Sequence, residues 1–310
     1  MSINIAQLNE AIAAAIPDRE AIVFRDRRFT FAQFNERATR LANLFLTHNI
    51  TIQKERHEIK NWESGQDHVA LYMFNGNEYP ERILATLKAR AVPVNVNFRY
   101  VEEELIHLLN DASVKAIIYH QAFAPTLARI LDDIPTLKLL IQVEDGSGHD
   151  LLPGALEYEA ALASSSAGKP STTPSPDDIY MIYTGGTTGM PKGVLWRQGD
   201  FLASMLGARH EDGSPKTDIN EFVDQIQCVI YTDYSIITPC IGKNEFDSFS
   251  GQTVSLITLQ NHSIVSSTNL EYPLDSYKLV PSSKAIRNKS LGTSFIIECS
   301  EPLMVFQAIL

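Results

Sequence analysis

Between Val69 and Val143, short apolar runs alternate with amphipathic helical segments, and this rhythm leaves few folds open. Val69 to Phe74, Val92 to Val96, Ala116 to Tyr119 and Leu139 to Val143 are near-continuous apolar runs. Continuous runs, unlike alternating ones, mark strands buried on both faces. Between them, Glu78 to Arg90 places Ile83, Leu84 and Leu87 on one helical face. Val101 to Asn110 does the same with Leu105, Leu108, Leu109 and Ala112, and Pro125 to Leu131 is a third helical segment. Strands joined by helices pair in parallel and are covered on both sides, so the expected class is α/β with a mainly parallel sheet. Upstream, Leu8, Ile12 and Ala15 form a helical stripe, and Ala21–Phe24 and Arg28–Phe29 form two short strands joined at a polar turn. Thr30 and Gln33 are spaced as a capping box ahead of a helix carrying Phe34, Ala38, Leu41, Ala42 and Phe45 on one face. Thr51 to Asp67 and Ser164 to Pro176 are polar and are expected to be surface loops.

A strand at Asp177 to Tyr183 leads into the run Tyr183-Thr184-Gly185-Gly186-Thr187-Thr188-Gly189-Met190-Pro191-Lys192-Gly193. Glycines let a backbone approach a ligand closely. Exposed N–H groups and hydroxyls donate to phosphate oxygens, and a lysine compensates their charge. The run is not a Walker A loop, because Pro191 precedes Lys192 and Gly193 follows it, leaving no adjacent hydroxyl for magnesium. Val194 onward, through Phe201, Met205 and Leu206, continues as a strand end and a helix behind the loop.

The Tyr183–Gly193 run resembles the signature loop of the adenylate-forming superfamily, which includes acyl-CoA synthetases, peptide-synthetase adenylation domains and luciferases. Gly185 stands where serine is usual. Thr30 to Phe34 and Leu84 to Tyr100 also resemble family segments, and Asn95-Val96-Asn97 with Trp196-Arg197-Gln198 is closest to bacterial fatty-acid or steroid-side-chain acyl-CoA ligases. The resemblance covers about residues 1–225. It implies the start of an acyl-CoA synthetase-like large N-terminal domain with layered, mainly parallel αβ sheets. It also implies ATP, Mg2+ and coenzyme A as reaction partners, with a small-molecule carboxylic acid, a fatty acid or a steroid side-chain acid, as substrate. Thr184, Gly185, Gly186, Thr187, Thr188, Gly189 and Lys192 would hold the β- and γ-phosphates.

At 310 residues with 44% hydrophobic content, the chain can build a sizeable core. A net charge of -11 with no basic cluster argues against nucleic acid and anionic membranes. No apolar run is long enough to span a bilayer, and the N-terminus lacks the basic start of a secretion signal, so a cytoplasmic location is expected. Cys228, Cys240 and Cys299 then read as reduced thiols, without CxxC metal spacing.

Around Gln225 the composition changes. After Arg209 one arginine remains, Arg287, and all three cysteines fall in this part. Residues 226–310 are expected to be a poorly structured or β-rich tail unrelated to the family, with Val254 to Leu259 and Phe295 to Ile297 as candidate strands. A frameshift or gene-model error would produce such a break, and a novel domain is the alternative. The family's later elements, among them an aromatic-Gly-x-Thr-Glu motif for magnesium and a C-terminal adenylation lysine, are not found in these residues. The expectation is therefore a ligase lineage without turnover, and the alternative a remnant that binds nucleotide weakly. No catalytic residue and no metal ligand is assigned.

Overall fold

The computed structural model describes residues 3–184, 190–204, 210, 212, 214, 216–223, 230–231, 235–248, 250, 252–258, 263–279 and 286–308. The contacts divide into two compact units, residues 1–224 and 225–310.

The first unit begins with α1 (Ile5–Ala15), the hairpin β1 (Glu20–Phe24) and β2 (Arg27–Thr30), and α2 (Phe31–Thr47). Then come β3 (His68–Tyr72), α3 (Glu78–Lys88), β4 (Val92–Asn95), α4 (Glu102–Asp111), β5 (Ala116–His120), α5 (Ala124–Ile130) and β6 (Leu139–Val143). β7 (Leu156–Glu157), α6 (Tyr158–Ser164), β8 (Ile179–Thr184), β9 (Lys192–Arg197), α7 (Gln198–Ser204) and α8 (Asn220–Val223) complete it. Seven strands form one sheet in the order β7-β6-β5-β3-β4-β8-β9. Every pair is parallel except β8 with β9.

Both faces are covered, as the continuous apolar runs require. Val69 and Leu71 of β3 point to one side, where Phe34, Leu41 and Phe45 of α2, Leu84 and Leu87 of α3 and Tyr158 of α6 pack. Ala70 and Tyr72 point to the other side, against Leu105, Leu108 and Leu109 of α4 and Leu127 of α5. The capping box at α2 forms in full: Gln33 N donates to Thr30 Oγ1 at 3.3 Å, and Thr30 N donates to Gln33 Oε1 at 2.9 Å. Three features are not evident from the apolar pattern. β7 and α6 lack a long apolar run, and β9 turns back on β8 as a hairpin where a parallel sheet is the general expectation.

Helix α3 buries more than its apolar stripe. Glu81 and Arg82 are fully buried beside Leu84 and Leu87. Arg37 Nε donates to Glu81 Oε1 at 2.9 Å, and Tyr158 Oη donates to Glu81 Oε2 at 2.7 Å. The Arg82 guanidinium lies 4.7 Å from the centre of the Tyr158 ring. Burial works against the Arg37 charge, but its hydrogen bonds to Glu159 and Glu81 outweigh that and raise its pKa. Burial lowers that of Arg82, which the Tyr158 and Glu78 environment only partly offsets.

A buried histidine, His120, and a half-buried one, His68, make this unit sensitive to acid. Phe74 N donates to His120 Nδ1 at 3.0 Å, so that nitrogen carries no proton. His68 bonds Ser64 Oγ at 2.8 Å through Nε2 and the Ala112 carbonyl through Nδ1. Burial, first of all, holds both imidazoles below the usual histidine value of 6.5. The unfolded chain therefore binds these protons more readily, and protonation favours unfolding. Their contribution to stability is complete above pH 6.5 and is lost as pH falls from there toward the lower folded values, at about 1.4 kcal/mol for each tenfold difference in proton affinity. Denaturant unfolding between pH 7.5 and 5 should show this decline. His120→Asn, whose Oδ1 can accept from Phe74 N, should flatten it; an unchanged slope would exclude His120 as a source.

The second unit is an antiparallel sheet. Its strands are β10 (Ile230–Tyr231), β11 (Ser235–Asp247), β12 (Thr253–Thr258), β13 (Ser263–Thr268), β14 (Tyr277–Leu279), β15 (Ile286–Lys289) and β16 (Ser294–Ala308). β16 is the spine. One edge pairs with β11 from Ser235↔Ala308 to Asp247↔Ser294, and the other takes β12 along one half and β13 along the other. A bulge between Cys240 and Gly242 falls where Gly242 has φ +70°, a conformation that suits glycine. Phe246, Val254, Leu256, Val265, Phe295, Ile297 and Val305 form its core, with the Phe246 and Phe295 rings stacked at 5.1 Å. The tail is β-rich, and Cys299 is buried in it.

Candidate phosphate-binding site

β8 and β9 form the stem of the Gly/Thr loop. Their register runs from Ile179↔Arg197 through Tyr183↔Gly193 to Thr184↔Lys192. Thr184 and Lys192 therefore face each other across the mouth of the loop. Gly185, Gly186, Thr187, Thr188 and Gly189 lie outside the described residues. Lys192 is exposed, and among the described residues no carboxylate engages it. Parallel pairing of Val94 with Met181 aligns β8 with β4, so the loop leaves the carboxyl edge of the parallel sheet. That edge is where open α/β sheets bind ligands.

Each end of β8 has its own anchor. At the base, Asp178 is buried and accepts from Arg90 Nε at 3.0 Å and from Arg90 Nη2 at 2.8 Å. Arg90, with φ +56° just after α3, also holds Glu55 at 2.7 Å and 2.9 Å. Burial pushes the Asp178 carboxyl up, and the Arg90 fork works against that. At the tip, Tyr183 Oη donates to Asp111 Oδ2 at 2.7 Å, at the end of α4. Burial, with the Asp111 carboxylate, raises the Tyr183 phenol well above its ordinary value. Gly193 opposite makes room for that ring: a Cβ there would stand 3.0 Å from Tyr183 Cζ and 3.2 Å from Met181 Sδ.

Of the sequence-predicted residues, Thr184 and Lys192 are thus brought together by register. Asp111, Arg90 and Asp178 carry no motif, and the sequence offers no signal for them. A groove of about 720 Å³ lined by Glu55, His57, Asp177, Trp196 and Arg197 lies at the opposite end of the β8–β9 stem, so it does not extend the phosphate mouth.

Residues 9–258 match the AMP-binding enzyme family. The matched span runs past Gln225 and ends with β12. The medium-chain acyl-CoA ligase Mig of Mycobacterium avium is 46% identical over 259 residues, covering 82% of this chain and 47% of Mig. The 3-oxocholest-4-en-26-oate–CoA ligase of Rhodococcus rhodochrous is 40% identical over 208 residues, covering 67% of this chain and 35% of that enzyme. The chain thus spans half or less of the length of these relatives. Among solved structures, the N-terminal domain of FACL13 from Mycobacterium tuberculosis aligns with a TM-score of 0.54 at 26% identity, covering 68% of this chain and 48% of that one. Among the described residues no helix is long and apolar enough to cross a membrane. With the α/β sheet, the loop at its carboxyl edge and these matches, the chain belongs to the AMP-binding enzyme family, in its acyl-CoA ligase branch.

Proposed function

We propose that this chain is the triphosphate-binding part of an acyl-CoA ligase acting on a fatty acid or a steroid side-chain acid. The observation that carries the reading is the register that sets Thr184 opposite Lys192 at the mouth of a Gly/Thr loop. The similarity to Mig and to the cholestenoate–CoA ligase supports the substrate class. In the full reaction a carboxylate attacks the α-phosphate of ATP, giving an acyl-adenylate and pyrophosphate. The thiol of coenzyme A then displaces AMP to give the thioester. The loop's part is to hold the β- and γ-phosphates, with Thr184 to Gly189 as donors and Lys192 as counter-charge, which positions the α-phosphate for attack.

Among the described residues no group of three His, Cys, Asp or Glu side chains is placed to hold a metal ion, and no step is assigned to a protein-held metal. The aromatic-Gly-x-Thr-Glu motif and the adenylation lysine are not found in these 310 residues, so we place binding in this chain and turnover outside it. Pyrophosphate release and thioester formation with ATP, magnesium, coenzyme A and a panel of fatty and steroid side-chain acids should stay at background. Robust turnover abolished by Lys192→Ala would overturn the inactive reading while leaving the ligase assignment intact.

A further inference from the structure

The β8–β9 tip extends beyond the ladder of the parallel sheet. β8 pairs with β4 at Val94↔Met181, and beyond that register Ile182, Tyr183 and Thr184 have β9 as their ladder partner. β9 is itself the terminal strand of the sheet. An isolated two-stranded ribbon is marginal and free to pivot. Here that ribbon carries both stems of the phosphate loop, Thr184 and Lys192. Tyr183 and Leu195 pack against the core on this face, and Tyr183 adds a polar tether near the tip: its ring crosses Gly193, and its hydroxyl reaches Asp111 of α4 at 2.7 Å. α4 is itself fixed, with Leu105, Leu108 and Leu109 buried in the core on its face of the sheet.

We infer that Tyr183 and Asp111 act as a positioning pair that orients the phosphate loop for the β- and γ-phosphates. This rests on the proposed triphosphate-binding role. Asp111 touches no phosphate in this arrangement and acts through Tyr183. It is exposed, so its substitution removes the tether without emptying a core site. Gly193 belongs to the same device, because any side chain there would push the Tyr183 ring from its place.

The test is calorimetric titration of the full 310-residue chain with ATP, inorganic tripolyphosphate and AMP, together with urea unfolding of each variant. Tyr183→Phe and Asp111→Ala should each weaken ATP and tripolyphosphate about 3- to 10-fold, toward the low end for a charge-assisted hydrogen bond because Asp111 is solvent-exposed. AMP affinity and the unfolding midpoint should not change, and the double variant should be no weaker than either single one. Variants that bind tripolyphosphate as the parent does, effects of the two substitutions that add in full, or equal losses for AMP and tripolyphosphate would overturn the pairing while leaving the triphosphate site standing. A parent chain that fails to bind tripolyphosphate would overturn both.

Discussion

Glu81→Ala should destabilise the first unit by about 3–5 kcal/mol, the usual result of removing one partner from a buried charge network. Glu81 is fully buried. It accepts from Arg37 at 2.9 Å and from Tyr158 at 2.7 Å. It is also one of two carboxylates that favour the charge of Arg82, whose Nε and Nη2 have no hydrogen-bond partner of their own. Removing Glu81 would leave a buried guanidinium with less compensation and a buried phenol without an acceptor. Helix propensity alone predicts the opposite, since alanine is the better helix former. With total stabilities of about 5–15 kcal/mol, a loss of this size is a large share of the fold. Urea unfolding followed by far-ultraviolet circular dichroism would measure it. A change below about 1 kcal/mol would show that the network contributes little. Glu81→Gln, which keeps an acceptor for Arg37, should fall between the two.

The same helix shows what the sequence can and cannot disclose. Spacing alone places Ile83, Leu84 and Leu87 on the inner face, and they are there. It does not disclose that Glu81 is internal, because its partners lie 44 and 77 residues away on α2 and α6. Local signals are legible where the physics is local. The Thr30–Gln33 capping box and the strand at Leu139–Val143 need no information from elsewhere in the chain. α6 has only 7 residues, too short a span to show a helical stripe, yet it buries Tyr158 against α3. The composition change near Gln225 coincides with the boundary between the two compact units, although the family match continues to residue 258.

The site divides in the same way. The Gly/Thr run and Lys192 are visible as a motif because their chemistry is contiguous in sequence. Their arrangement is not visible. The Thr184↔Lys192 pairing depends on β9 folding back on β8, where a parallel sheet would lead the chain elsewhere. The Tyr183–Asp111 tether joins residues 72 positions apart, and no pattern around Asp111 announces it.

Lys192→Ala should produce the largest functional effect. Lys192 is exposed at the loop mouth, and among the described residues no carboxylate competes for its charge. Its removal should therefore cost the fold within about 0.5 kcal/mol. A charge-assisted contact to phosphate is worth about 1.5–3 kcal/mol, which corresponds to roughly a 10- to 100-fold loss of triphosphate affinity. The loss should shrink as ionic strength rises, since salt screens an exposed charge. The most direct measurement is a titration of the parent chain and of Lys192→Ala with inorganic tripolyphosphate at low salt. Saturable binding by the parent, at least tenfold weaker in the variant at an equal unfolding midpoint, is the predicted result. Equal affinities, or no binding by the parent chain, would contradict it.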